Sequence, residues 1–314
     1  MNHNTPSAHL LAYAPVNVMS FDLQTYLKER KTLIDSAMDR YLPSEAEQPS
    51  VVHEAMRYST LDGGKRLRPI LTLAACEAVG GQIEMAMPAA CAIECIHAFS
   101  LIHDDLPCMD NDDFRRGRPT VHKVYGEAMA LLAGDALFAF AFQLMSGVSS
   151  DIPSSTVLRV WQQIADATGT KGMVGGQVMD MQAQGQQSGL PEIEEIHKRK
   201  TGALLKTSVV VGGMLGGGIE SELDALEIYG RNIGLAFQIT DDILDITGDA
   251  EKLGKPIGSD LKLDKSTYPS VIGIEQSREL AIKAVEEAVE ALSVFDEKAE
   301  PLRAIARFII EREL

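Results

Sequence analysis

Apolar residues recur at three- and four-residue spacings through almost the whole chain, and alternating β-branched runs are almost absent. That period buries one stripe of a helix and has no use in a strand, whose faces alternate every residue. Ala, Leu, Met, Glu and Gln, all strong helix formers, fill the periodic stretches. Glycine pairs punctuate them at Gly63-Gly64, Gly80-Gly81, Gly175-Gly176 and Gly212-Gly213, with a run at 216–218. Pro69, Pro88 and Pro191 stand near helix starts, where a missing N–H costs nothing. The pattern predicts helices over 21–40, 45–60, 69–79, 88–106, 121–147, 154–168, 171–184, 191–214, 221–247, 267–274, 277–292 and 299–312. No linker-like composition shift, repeat or low-complexity block divides them. The expectation is one all-α domain over 21–314, a single large helical bundle, behind a loose tail at 1–20.

Composition excludes several partners. Twenty-nine Lys and Arg against 45 Asp and Glu leave a net charge of −16, which argues against a broad basic face for nucleic acid or anionic lipid. A phosphate ligand would have to be held by a few placed cations or through metal ions. Four cysteines without a CxxC pair suggest reduced thiols and a cytoplasmic setting. No charge-free apolar run reaches the ~18 residues of a spanning helix, since Asp135 breaks the richest stretch, 128–145. Stable membrane insertion is therefore not expected. The first twenty residues lack the basic and apolar regions of a signal peptide.

Two acidic clusters stand on helices that otherwise read as core. The stretch from Ala89 ends in Asp104-Asp105-Leu-Pro-Cys-Met-Asp110, and Asp112 and Asp113 follow. The second helix carries Gln238-Ile-Thr-Asp241-Asp242-Ile-Leu-Asp245. Carboxylates on apolar helices are costly unless paired or metal-bound. Asp241 and Asp245 are one turn apart on one face, with Gln238, Gly234 and Gly230 extending the stripe. Asp242 points elsewhere and is the weaker ligand. Asp104 and Asp110 would lie about 240° apart on an ideal helix. They can face one ion only if the helix breaks, so Pro107 predicts an irregular turn across 106–109. Hard oxygen donors of this kind select Mg²⁺, which bridges carboxylates to phosphates.

Basic residues gather near these clusters. Gly63-Gly64-Lys65-Arg66-Leu-Arg68-Pro69 is a glycine-loosened loop entering a helix N-terminus, with three cations suited to a phosphate. Arg115 and Arg116 follow the first cluster closely, and Lys200-Thr201-Gly202 lies mid-helix in an apolar setting. Lys255 and Lys265 lie just beyond the second cluster. His97 and Ser100 share the Asp104 stripe, which points His97 toward a substrate.

With the motifs GGKRLRP at 63–69, SLIHDDLPCMDNDDFRRGRPTVH at 100–122, LLAGDAL at 131–137, KTG at 200–202, FQITDDILD at 237–245 and LGK at 253–255, the chain resembles the trans-type isoprenyl (polyprenyl) diphosphate synthases. The likeness covers residue 21 to the C-terminus and is nearest to the bacterial farnesyl diphosphate synthases. It implies a helical bundle of isoprenoid synthase type with a central cavity, and a homodimer. It implies about two or three Mg²⁺ ions, held by Asp104, Asp105 and Asp110 on one side and Asp241 and Asp245 on the other. Arg115, Lys200, Thr201, Gln238 and Lys255 match residues that serve the allylic diphosphate, dimethylallyl or geranyl, and Lys265 could close over the same cluster. Lys65, Arg68, His97 and Arg116 match those that hold isopentenyl diphosphate. The implied reaction is ionisation, condensation and elimination, giving farnesyl diphosphate and pyrophosphate. Family chain length is set at the positions of Phe99 and Ser100, and an aromatic at the former resembles enzymes that stop at fifteen carbons. Geranylgeranyl and geranyl diphosphate synthases are the alternatives within the class.

Glu94-x-x-His97 and Glu194-x-x-His197 also supply the pattern of a carboxylate-bridged di-iron bundle, a rival that leaves the aspartate clusters unexplained. A terpene cyclase would carry an Asn/Ser/Glu triad in place of the second cluster, and a non-catalytic partner subunit would not need both clusters. Cys91 and Cys95 read as small core residues, Cys108 as partly exposed, and Asp135 as a buried hydrogen-bonding residue.

Overall fold

The computed structural model describes residues 21–61, 63–186, 188–247 and 266–311. The tail at 1–20, Lys255 and Lys265 lie outside the described residues. Helices α1 (Leu23–Tyr41), α2 (Ser50–Leu61), α3 (Leu67–Ala78) and α4 (Ile83–Asp104) lead to a two-stranded hairpin, β1 (Phe114–Arg115) and β2 (Arg118–Pro119). Then come α5 (Val121–Tyr125), α6 (Glu127–Met145), α7 (Ser154–Thr168), α8 (Met173–Ala183) and α9 (Leu190–His197). A π-turn, Lys198–Gly202, joins α9 to α10 (Ala203–Leu215), followed by the long α11 (Glu220–Thr247). The chain closes with α12 (Tyr268–Ile272), α13 (Ile274–Ala291) and α14 (Glu300–Glu311). The all-α bundle expected from periodicity is what the chain forms.

Helix α4 is apolar all round, so it cannot sit at a surface. Ile93, Cys95 and Ile96 are fully buried, and α4 packs against α3, α6 and α10. Each fully buried aliphatic side chain of this kind contributes about 1.5–3 kcal/mol. Helix α10 lies between α3 and α11. The approach is close enough that a Cβ on Gly212 would fall 2.0 Å from the Thr72 carbonyl oxygen. At the site end, Gly234 of α11 meets Gly202 of the π-turn almost backbone to backbone, a Cβ there lying 3.1 Å from the Gly202 Cα. These small residues set the interhelical spacing on which the polar groups depend.

Several boundaries differ from the sequence expectation. Helix α4 begins five residues early, so Pro88 lies inside it. The predicted helix 121–147 is split at Gly126, whose φ of 85° belongs to no α-helix. Gly175-Gly176 lies inside α8, as the predicted helix 171–184 has it, and a Cβ on Gly176 would strike the Lys200 backbone nitrogen at 2.3 Å. Gly176 thereby allows the close contact with the π-turn, while Gly175 lies against the Thr170 carbonyl. Two helices, Ile83–Asp104 and Glu127–Met145, are long and apolar enough to cross a membrane, and the first is mostly buried within the bundle.

Candidate active site

Helix α4 stops at Asp104, and the chain turns irregularly from there to Asp110, as Pro107 predicted. The Asp110 N–H donates to the Asp104 carbonyl at 2.8 Å, and the Asn111 N–H to the Leu106 carbonyl at 3.1 Å. The turn thereby folds the second half of the motif back over the helix end. Burial pushes the Asp104 carboxyl up to about 6, with Lys200 working against that rise and Asp110 adding to it. Asp105 is buried, which raises its carboxyl too, and Arg115 opposes the rise through paired hydrogen bonds of 2.8 and 2.9 Å from Nε. Arg115 Nη2 lies 2.6 Å from the same carboxylate, a fork that fixes the guanidinium in place.

On the opposite wall α11 carries Gln238, Asp241 and Asp245, the last almost fully buried. Asp242 turns away, as its helix angle required, and accepts a 3.0 Å bond from the Tyr268 N–H. The two sides are coupled electrostatically. Asp104 feels Lys200, and Arg68, on the first-wall side, feels Asp241. Lys200 Nζ is held 2.7 Å from Asp180 of α8, which the sequence reading missed; a carboxylate following a glycine pair on an apolar helix was the available signal. Thr201 is the next residue of the same π-turn.

The third component is a cluster of cations. Arg68 is drawn down to about 10 by burial and by Arg116, while Glu94 and Asp241 oppose that fall, and its buried Nε has no partner among the described residues. An orphaned buried guanidinium nitrogen fits a site built for an anion. Burial first, then Arg68, Arg116 and Arg115, hold His97 well below the ordinary imidazole range. Lys65 is exposed on the loop, and Arg116 lies against Gly64, where a Cβ would come within 2.7 Å of Nη1.

Arg66 corrects the reading of three phosphate-facing cations. It sits at φ 53° and is buried, with Nη1 2.8 Å from Glu94, Nε 2.7 Å from Asp35 and Nη2 on the Thr60 carbonyl. A buried arginine bonded on every side is an anchor, not a ligand. The same contact removes the di-iron pattern, since Glu94 is spent on Arg66. Glu194 is exposed, and the His197 ring packs on Tyr268 at 5.4 Å. Asp135 is exposed, 4.0 Å from His103 Nε2, and is not the buried hydrogen-bonding residue expected. Cys76, Cys91 and Cys95 are buried and Cys108 is exposed.

Ser100 lies below Asp104, its hydroxyl donating to the His97 carbonyl at 2.9 Å. The Phe99 ring lies against His103 at 5.1 Å and Phe138 at 5.3 Å. It opens a row that runs through Phe142 to Trp161.

The donor set suits a hard divalent cation. Among the described residues no three of the carboxylates, thiols or imidazoles converge on one point. Mg²⁺ needs no such cage, since it binds through one or two carboxylates, water and phosphate oxygens.

Residues 49–304 match the polyprenyl synthetase family model. The chain belongs to that family and is a prenyltransferase. It is 51% identical over 300 residues to the heterodimeric geranylgeranyl pyrophosphate synthase large subunit 1 of Arabidopsis thaliana, covering 94% of this chain and 80% of the relative. It is 49% identical to the geranylgeranyl diphosphate synthase of Cyanophora paradoxa, over 93% of this chain and 97% of the relative. Among solved structures it resembles an FPP/GFPP synthase of Zymomonas mobilis, with TM-score 0.81, 41% identity and coverage of 92% and 98%.

Proposed function

We propose that the protein condenses isopentenyl diphosphate head to tail with dimethylallyl, geranyl and farnesyl diphosphates and stops at geranylgeranyl diphosphate, twenty carbons long. The observation that carries the length is Ser100. It stands one turn below Asp104, its hydroxyl donates to the His97 carbonyl, and its small side chain puts no bulky group at the position where the family sets chain length. The aromatic ring that favours fifteen carbons, Phe99, is turned onto Phe138 of α6. The names of the relatives support the longer product over the farnesyl diphosphate expected from the motifs.

In this reading Asp104, Asp105 and Asp110 from one wall, and Asp241 and Asp245 from the other, would hold Mg²⁺. Mg²⁺ held there would supply Lewis-acid neutralisation of the allylic pyrophosphate and so favour its departure. Lys200 and Arg115 bind that diphosphate, Lys200 exchanging part of its bond to Asp180 for the substrate. The Thr201 and Gln238 dipoles stabilise the allylic cation in a cavity that excludes water. Lys65, Arg68, His97 and Arg116 place isopentenyl diphosphate so that its double bond attacks the cation carbon, and the released pyrophosphate takes the proton. The reading includes a homodimer. Leu131, Leu132 and Phe138 form an exposed apolar stripe on α6 that a second copy would cover.

Incubation of the enzyme with isopentenyl diphosphate, Mg²⁺ and each allylic primer in turn should end at C20 in all three cases, and chelation should stop it. A product fixed at C15, with farnesyl diphosphate left unused, would return the protein to the shorter reading. Ser100→Phe should shift the main product to C15 or below without loss of total turnover, read by chromatography of the dephosphorylated alcohols.

A further inference from the structure

Each of three site arginines and lysines is tied to a carboxylate: Arg115 to Asp105, Lys200 to Asp180 and Arg66 to Glu94. Arg116 makes no hydrogen bond or ion pair among the described residues, so its place depends on the backbone that carries it. That backbone is the turn of the β1–β2 hairpin. Arg115 pairs with Arg118 across it, leaving Arg116 and Gly117 as a two-residue loop with φ of 54° and 75°. Positive φ at both positions is the type I′ turn that suits hairpin twist. A two-stranded hairpin this short is not stable alone.

Tyr58 of α2 supplies the support. Its hydroxyl donates to the Pro119 carbonyl at 2.8 Å, its ring lies 4.2 Å below the Arg118 guanidinium, and its edge meets Tyr125 at 5.7 Å. The same helix leads directly into the loop that presents Gly64 to Arg116 and carries Lys65. Tyr58, Arg66, Glu94, His97, Arg116 and Arg118 line one cavity of about 50 Å³ behind the hairpin.

We propose that Tyr58 is a positioning residue that clasps the 114–119 hairpin and sets Arg116 against the Lys65 loop, and so governs binding of the second, metal-free diphosphate. The inference rests on the assignment of that diphosphate to isopentenyl diphosphate. Its distinguishing feature is selectivity. Arg115 is one residue away but locked by Asp105, so loosening the hairpin reaches Arg116 and spares the allylic side.

The test measures Tyr58→Phe and Tyr58→Leu for both Michaelis constants, turnover and melting temperature. Tyr58→Phe should raise KM for isopentenyl diphosphate about 3–10-fold, the scale of one lost hydrogen bond. Tyr58→Leu, which also removes the cation–π contact, should raise it further. In Tyr58→Phe, KM for the allylic primer, turnover and melting temperature should stay near wild type. Equal rises in both constants, a fall in turnover alone, or no change would overturn the clasp. Should Tyr58→Leu fail to fold, Tyr58→Phe decides. Calorimetry with inorganic pyrophosphate in metal-free buffer separates this inference from the assigned reaction. Binding should weaken about 3–10-fold in Tyr58→Phe even if the wild type turns over none of the primers, and unchanged binding refutes the clasp.

Discussion

Asp104→Asn should lower turnover about 10³-fold with little change in melting temperature. The substitution keeps the shape of the side chain and removes the charge on a carboxylate that burial already holds up to about 6. In the proposed mechanism that charge recruits the Lewis acid, a contribution of several kcal/mol, and each 1.36 kcal/mol is tenfold in rate. Asp242→Asn is the internal control. It lies in the second acidic motif but accepts from the Tyr268 N–H, a bond that the asparagine amide oxygen can still accept, so its replacement should leave turnover within a few-fold. Rapid-quench measurement of the first condensation, with melting curves for both variants, reads the contrast. A loss under tenfold for Asp104→Asn would remove the metal role of this wall.

Glu94→Ala should lower stability by about 3 kcal/mol, since it leaves a buried guanidinium with one carboxylate fewer. For a chain of this length that is about 5 °C in melting temperature. Because Arg66 keeps Asp35 and the Thr60 carbonyl, the loss sits at the lower end of the range for breaking a buried pair. The effect should extend to the site, because Arg66 anchors the segment between Lys65 and Arg68. Replacing both partners, as Arg66→Met with Glu94→Leu, should recover much of the stability while isopentenyl diphosphate still binds poorly. Differential scanning calorimetry and KM measurements on the single and double variants test this. A double variant as unstable as the single one would mean that packing, not the stranded charge, causes the loss.

The two acidic motifs were legible because their oddity is local. Carboxylates one turn apart on an apolar helix announce themselves without any knowledge of the fold, and a proline between Asp104 and Asp110 demands a break in that helix. The orientation of Asp242 followed from the same helical angle. Arg66 was misread because nothing within the loop distinguishes it from Lys65 and Arg68. Its partner Glu94 is 28 residues away and was noticed only as half of a metal pattern. Asp180 escaped because it lies 20 residues before Lys200, and nothing local to it points to that partner. Asp135 stands in an apolar sequence yet lies on the exposed side of α6, which periodicity alone could not orient.

Periodicity and composition alone dictated the helices, their approximate extents and the acidic and basic residues that bear on phosphate chemistry. Those properties depend on residues within a turn or two of each other, so they are written in the order of the chain. Which cation is ligand and which is anchor was decided only when α2, α3, α4 and α8 came together, as was the path of the hairpin over the Lys65 loop. A guanidinium commits to whichever carboxylate the packed bundle brings within about 3 Å, and that distance is a property of tertiary contact.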